Sequence, residues 1–268
     1  MGREARAHNG YAEIMRLATF NILHGRTVDD GVHMDRLRSC VTTLEPDVLA
    51  LQEVDRDQER SGRADLTAVA AEAMGAAEHR FVAAISGTPG ATWMAATGRE
   101  QPGTAAYGIA LLSRYPVSSW QVLRLPRIPV RFPMYLPGPR RVLMVHEEPR
   151  TAVVARIETP LGAITVASTH LSFVPGWNRL QLRRLVHDLA GFPGPRILAG
   201  DLNLLAPAAH RWSGMRPLAH GATFPAPEPT RQLDHILTDD RRLYARTCDA
   251  PLMPISDHRA LVADIART

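Results

Sequence analysis

At 268 residues, with 45% apolar and 22% charged positions, the chain has ordinary globular composition and a length suited to one large domain. No apolar stretch is long enough to cross a bilayer, which excludes a membrane-spanning helix. The formal charge of +4 is modest for this length: it permits anionic substrates without marking a nucleic-acid groove.

All 31 basic residues are arginine. The absence of lysine removes Schiff-base, P-loop and general-base lysine chemistry at once. Cys40 and Cys248 alone can build neither a disulfide framework nor a four-cysteine zinc site. They are expected as two buried thiols in a reducing cytoplasm. The polar stretch from Met1 to Arg16 lacks the apolar core of a secretory signal, so a cytoplasmic chain is expected.

In chain order, residues 1–13 read as a loose lead-in and 14–268 as a single domain. Residues 14–23 read as a strand. Residues 34–44 read as a helix, with Met34, Leu37, Val41 and Leu44 at helical spacing and Pro46 as its stop. Residues 47–52 form a short apolar strand ending at Glu53, and 66–74 a helix closed by Gly75. Residues 105–112 and 119–125 read as strands around an Arg114-Tyr115-Pro116 turn. Residues 126–140, with five prolines, read as an irregular loop or lip. A hairpin is expected over 151–158 and 163–168, a helix over 178–189 and a short strand over 196–199. A loop-rich stretch spans 205–230, and strands at 232–237 and 260–265 close the chain. The pattern is that of an α/β domain with a sheet core and outer helices.

Acidic, amide and imidazole residues gather at the ends of these strands: Asn21, Glu53, His170, Asp201 with Asn203, Asp234 with His235, and Asp257 with His258. Strand ends of α/β sheets collect ligand sites. Carboxylates and amides without a cysteine suit a hard, oxygen-preferring cation such as Mg²⁺, and histidines beside carboxylates suit proton transfer. Together they point to metal-assisted phosphoester hydrolysis.

The ordered set carries a resemblance. Thr19-Phe20-Asn21-Ile22, Leu51-Gln52-Glu53-Val54-Asp55, Tyr107-Gly108-Ile109, Glu148-Pro149-Arg150, Ser168-Thr169-His170-Leu171, Gly200-Asp201-Leu202-Asn203, Gln232-Leu233-Asp234-His235 and Ser256-Asp257-His258 run through nearly the whole chain. In this order they resemble the endonuclease/exonuclease/phosphatase superfamily, which includes pancreatic deoxyribonuclease, apurinic-site endonucleases, inositol polyphosphate 5-phosphatases and bacterial sphingomyelinases. The resemblance implies a four-layer α/β/β/α sandwich of two packed mixed sheets. It implies Glu53 as principal Mg²⁺ ligand (Mn²⁺ the alternative), with Asn21 beside it and Asp257 completing the set. Asp201 would orient or deprotonate the attacking water, and Asn203 would bond the scissile phosphate. His258, held by Asp234, would contact the phosphate or act as base. His170 would contact the phosphate or protonate the leaving oxygen, and Arg150 would lie near the phosphate. Where pancreatic-type nucleases carry a glutamate behind the first histidine, this chain has Tyr107, counted here with the substrate-binding residues. His235 reads as structural or a site wall, and His24 as a candidate substrate contact.

The substrate is less legible. The proline-rich Thr223–Thr230 stretch lacks the aromatic grip that the resemblance implies for a repair endonuclease, and no lysine-bearing inositol-phosphate loop exists. Residues 126–146 mix four arginines with Phe132, Met134, Tyr135 and Leu136. They suit a lip for an anionic head on an apolar body, a strand-gripping loop, or a rigid cover over the core. Phe173 and Trp177 could extend the same wall. The leading expectation is a monomeric phosphodiesterase or phosphatase acting on a small-molecule or lipid-headgroup phosphoester. A nuclease of the same mechanism is the alternative, and an inactive binding module follows it.

Overall fold

The structure, a computed structural model, describes residues 13–27, 31–101, 103–136 and 141–268. The lead-in expected over 1–13 falls, up to residue 12, outside the described residues, as does Arg140. A first sheet comprises β1 (Met15–Asn21), β2 (Val48–Arg56), β3 (Glu78–Gly87), β4 (Trp93–Ala95), β5 (Ala106–Ser113), β14 (Leu243–Asp249) and β15 (Leu261–Arg267), in the order β14-β15-β1-β2-β5-β3-β4. The second comprises β6 (Val117–Arg124), β9 (Thr151–Thr159), β10 (Gly162–His170), β11 (Arg196–Asp201), β12 (Arg216–Pro217) and β13 (Asp234–Thr238), in the order β12-β13-β11-β10-β9-β6. β1 and β2 run parallel, as do β10 and β11; the other pairings are antiparallel.

The sheets pack face to face. Leu17, Val48 and Leu111 of the first meet Val153, Val166, Ile197 and Ile236 of the second in one buried cluster. Each fully buried Leu, Ile or Val of this kind contributes roughly 1.5–3 kcal/mol. Outside the first sheet lie α1 (Met34–Leu44) and α2 (Leu66–Met74), whose apolar faces cover Ala18, Phe20, Leu49 and Leu51. Outside the second lie α3 (Trp177–Leu189) and α4 (Ala206–Ser213), which cover Val154, Ala167 and Leu198. The four-layer α/β/β/α sandwich is thereby present.

The helix boundaries follow from their caps. α1 ends where Glu45 turns left-handed, one residue before Pro46. α2 starts at Asp65, whose carboxylate accepts the Ala68 N–H at 3.0 Å, and stops at left-handed Gly75.

Several expectations are corrected. Residues 126–140 are not all irregular: β7 (Phe132–Leu136) pairs antiparallel with β8 (Arg141–Val145). Proline is tolerated there because a two-stranded ribbon leaves outer backbone groups unpaired. The side chains of Phe132, Met134, Tyr135 and Leu136 lie outside the described residues. β2 does not stop before Glu53 but continues to Arg56. α4 forms within the stretch expected as loops. Cys40 is buried, but Cys248 is exposed, and both are free. Among the described residues no helix is long and apolar enough to cross a membrane.

Candidate active site

Topology brings the polar residues to one edge of the sandwich. Asn21 ends β1, His170 ends β10 and Asp201 ends β11, with His170 paired in register to Asp201. β13 runs the other way, so its first residue, Asp234, pairs with Asp201 at the same edge. Arg150 lies just before β9, and Asp257 and His258 in the loop before β15.

Glu53 reaches this edge through a β-bulge. The β2–β5 register shifts between Gln52 and Val54, and Glu53 takes a φ of 57° as the extra residue. A bulge turns one side chain away from the pleat's alternation. Such a φ is costly for a residue with a Cβ, and strain of this kind collects at functional sites. Asn203 is the second site residue with a left-handed φ, 49°. Its backbone N–H donates to Asp201 Oδ1 at 2.9 Å. Gly200 precedes them with a φ of 144°, and an added Cβ there would overlap the carbonyl oxygen of Thr169. Glycine therefore lets β11 approach β10 closely enough to set Asp201 beside His170.

Hydrogen bonds knit the set together. Asn21 Nδ2 donates to Glu53 Oε1 at 3.0 Å and to Asp201 Oδ2 at 3.1 Å, while its oxygen accepts from the Leu23 N–H. His258 Nδ1 lies 2.8 Å from Asp234 Oδ2, and its Nε2 lies 3.8 Å from Asp201 Oδ2. His170 Nε2 is 3.4 Å from Asp201 Oδ2 and 3.4 Å from Asn203 Nδ2. Ser256 Oγ donates to Asn21 O at 2.6 Å and accepts from the His258 N–H at 3.0 Å, fixing the last loop to β1.

The electrostatics separate these groups into distinct roles. Burial, and then the Asp234 charge, push the Asp201 carboxyl up to about 7. Burial, the largest single influence, opposes charge on His258, and the Asp234 hydrogen bond is the strongest of several influences against it. Together with the charges of Asp234, Asp201 and Asp257, that bond overcomes burial and raises the ring to about 9. Burial, then the charges of Arg150 and His258, hold His170 well below its ordinary value, so its ring is neutral. Burial also raises Glu53, as does the Asp257 charge, while the Asn21 hydrogen bond and Arg150 act against this. Tyr107 is raised well above its ordinary value by burial and by Glu53.

These groups open into a cleft of about 380 Å³. Of the sequence candidates, Glu53, Tyr107, Arg150, His170, Asp201, Asn203 and His258 line it. Asn21 and Asp234 stand behind it, fully buried, and Asp257 lies exposed beside His258. Phe173 lines the cleft, but Trp177 does not: its Nε1 donates to Pro126 O at 3.0 Å. His24 is not a lining residue, and His235 is structural, with Nε2 on Leu204 O at 2.7 Å.

Sequence reasoning missed Trp93 and His146, whose stacked rings (5.7 Å between centroids) form a cleft wall. It also missed Phe224, packed on the His258 ring at 4.9 Å. His146 closes the 126–146 stretch read as a substrate lip and Phe224 lies in the proline-rich Thr223–Thr230 stretch, but neither residue stands out there, and Trp93 lies in no motif or periodic stretch.

Two residue sets could hold a cation. Asp201, Asp234 and His258 offer atoms within 4.8 Å of one another. A ring held at about 9 is protonated at neutral pH and has no free lone pair, which disfavours this set. Glu53 fits better. Its carboxyl is raised by burial and by the nearby Asp257, and the Asn21 amide donor stands where positive charge is wanted. An oxygen-donor set of two carboxylates and an amide matches a hard divalent ion.

The chain matches the family model for the Endonuclease/Exonuclease/phosphatase family over residues 18–258. Among solved structures it is similar to the endonuclease/exonuclease/phosphatase from Beutenbergia cavernae DSM 12333, at 23% identity and a TM-score of 0.69, covering 95% of this chain and 72% of that one. It is similar to the human Nocturnin catalytic domain with bound sulfate anion, at 20% identity and a TM-score of 0.60, covering 95% of each chain. Sphingomyelinase C from Streptomyces griseocarneus matches at 16% identity and a TM-score of 0.61, over 94% of this chain and 99% of that one. At these identities the structural likeness is one of fold. No curated protein matches.

Proposed function

This chain belongs to the endonuclease/exonuclease/phosphatase family of phosphoester hydrolases, and we propose that it is a Mg²⁺-dependent phosphodiesterase or phosphatase acting on a small-molecule or lipid-headgroup phosphoester. The carrying observation is the pairing of opposite carboxylate–imidazole states at one cleft. Asp201 is poised near neutrality, and His258 is kept cationic by Asp234.

Asp201 accepts the proton of the attacking water, a task for which a pKa near the working pH is best suited. His258 and Arg150 present positive charge to the phosphate oxygens. Asn203 and the neutral His170 hold the phosphate by hydrogen bonds. Because Nε2 of His170 faces both Asp201 and Asn203, its tautomer can follow the protonation of Asp201. Tyr107 forms a wall beside Glu53. A divalent ion held by Glu53 and Asp257, with the Asn21 amide turned so that its oxygen faces Glu53, would neutralise phosphate charge.

The test is Mg²⁺-dependent hydrolysis of bis-p-nitrophenyl phosphate, p-nitrophenyl phosphate, an inositol phosphate, a phospholipid and supercoiled plasmid, with Asp201→Asn as control. Cleavage of a small or lipid phosphoester, lost by at least ~10²-fold in the variant, is expected. Plasmid nicking that disappears in the variant would make the protein a nuclease instead. Activity retained in the variant would end the role given to Asp201.

A further inference from the structure

Beside the cleft runs a groove of about 600 Å³ that the chemistry above does not use. Gly90, Trp93 and His146 line both, so the two cavities share the stacked Trp93–His146 wall. Arg127 and Arg131 line the groove, and no carboxylate does among the described residues. Both arginines are exposed, and among the described residues neither has an ion pair or hydrogen-bond partner. Elsewhere arginines are commonly engaged: Arg60 grips Asp55 at 2.7 Å, and Arg124 donates to Ala96 O and Thr97 O.

The loop carrying these cations is anchored to the site. The Leu125 N–H donates to Arg150 O at 2.9 Å, and Trp177 and Gln181 both donate to Pro126 O. Leu125 and Ile128, on either side of Arg127, are buried. The Arg124 bonds tie the same loop to Ala96 and Thr97, directly after β4, whose own residues Trp93, Met94 and Ala95 line the groove. Two guanidinium groups, unpaired among the described residues, thus lie on a segment anchored at Leu125, Pro126 and Ile128 beside the cleft.

We propose that this groove is a second anion subsite, and that the substrate is a small molecule carrying a further phosphate beyond the one cleaved. Arg127 and Arg131 hold that phosphate through their forked donors, and Trp93 with His146 packs against the portion that joins the two groups. The proposal rests on the reading of the cleft as a phosphoester site. Groove residues Met94 and Met144 are 72% and 58% exposed, so a lipid surface is the rival occupant, and the experiment includes it. The absence of competing acids among the described lining residues, beside a cleft that takes a phosphate, favours a discrete anion.

The test uses non-hydrolysable probes, so that binding is read apart from turnover. Alkane-1,ω-bisphosphonates from propane to octane are titrated calorimetrically against the protein at fixed excess Mg²⁺, each beside the monophosphonate of equal length. At one length the bisphosphonate should bind at least ~10-fold more tightly, and Arg127→Ala/Arg131→Ala should bring that ratio to about one, with thermal unfolding unchanged. Equal binding of both probes at every length in the wild type overturns the subsite, as does a ratio that survives the double substitution. Loss of sedimentation with phosphatidylserine vesicles in the variant, without any bisphosphonate preference, would assign the arginines to a membrane surface and also overturn it. An arginine-dependent preference in a protein that hydrolyses no phosphoester would sustain the subsite while the hydrolase reading fails.

Discussion

Asp234→Asn separates the charge behind His258 from its geometry. Asp234 is fully buried, with Oδ2 bonded to His258 Nδ1 at 2.8 Å and Oδ1 meeting no donor. Asparagine has the same shape: its oxygen can keep the imidazole bond while its nitrogen takes the place of the unpartnered Oδ1. Only the charge is lost. The interval between the ordinary 6.5 and about 9 corresponds to about 3 kcal/mol, at roughly 1.4 kcal/mol per pKa unit. Asp234 supplies the two largest upward influences on the ring, so without its charge burial returns the ring to its ordinary value or below. Asp201 moves down as well, because after burial the Asp234 charge is the main cause of its elevation. With the roles proposed above, turnover needs an ionised Asp201 and a protonated His258. The wild-type rate should therefore rise through pH about 7 and fall through about 9. In the variant this window should move down by about two pH units. The rate near pH 8 should drop roughly 10-fold or more, with recovery near pH 6. The assay is kcat for bis-p-nitrophenyl phosphate at saturating Mg²⁺ across pH, with melting curves alongside. The His258 pairing also contributes stability that is complete below 6.5 and disappears as pH rises through about 9. Melting temperature should fall across that interval in the wild type and much less in the variant. A uniform rate loss with unmoved limbs, or near-wild-type turnover near pH 8, would refute the reasoning.

Glu53→Gln removes the carboxylate assigned to the ion, and Mg²⁺ affinity by calorimetry should weaken at least ~10-fold. An unchanged affinity would move the ion to another set, with Asp201, Asp234 and His258 next in line. Gly200→Ala places a Cβ on Thr169 O, forcing β10 and β11 apart and separating Asp201 from His170. Destabilisation of about 3 kcal/mol or more is expected in denaturant unfolding, and a midpoint like the wild type's would show that the strands can part without cost.

What the sequence revealed followed from signals that act locally. α1 and α2 were legible to the residue because Pro46 and Gly75 end them by backbone geometry, before any tertiary contact is needed. Asn21, His170 and Asp201 were legible because each follows a buried apolar run whose end is also the end of the strand. The misses share a different cause. β3 begins with Glu78, His79 and Arg80, and β14 presents mostly half-buried or exposed residues, so neither shows alternation strong enough to announce a strand. Both are held by pairing with β5 and β15, a long-range property. The bulge at Glu53 was hidden for the same reason: it exists only as a mismatch of register between β2 and β5. The residue type thus identified Glu53 as a candidate, but the pairing of two distant strands gives it the orientation the chemistry requires. Trp93 and His146 carry the argument one step further. Their place in the wall depends on β4 and the ribbon of β7 and β8, elements outside the strand ends where the site's acids and histidines collect. The proposed reacting centre is therefore written in motifs at strand ends, whereas the wall and groove that would select a substrate are set by the loops and ribbon around it. That division explains why the chemistry could be inferred from residue types and spacing while the substrate could not.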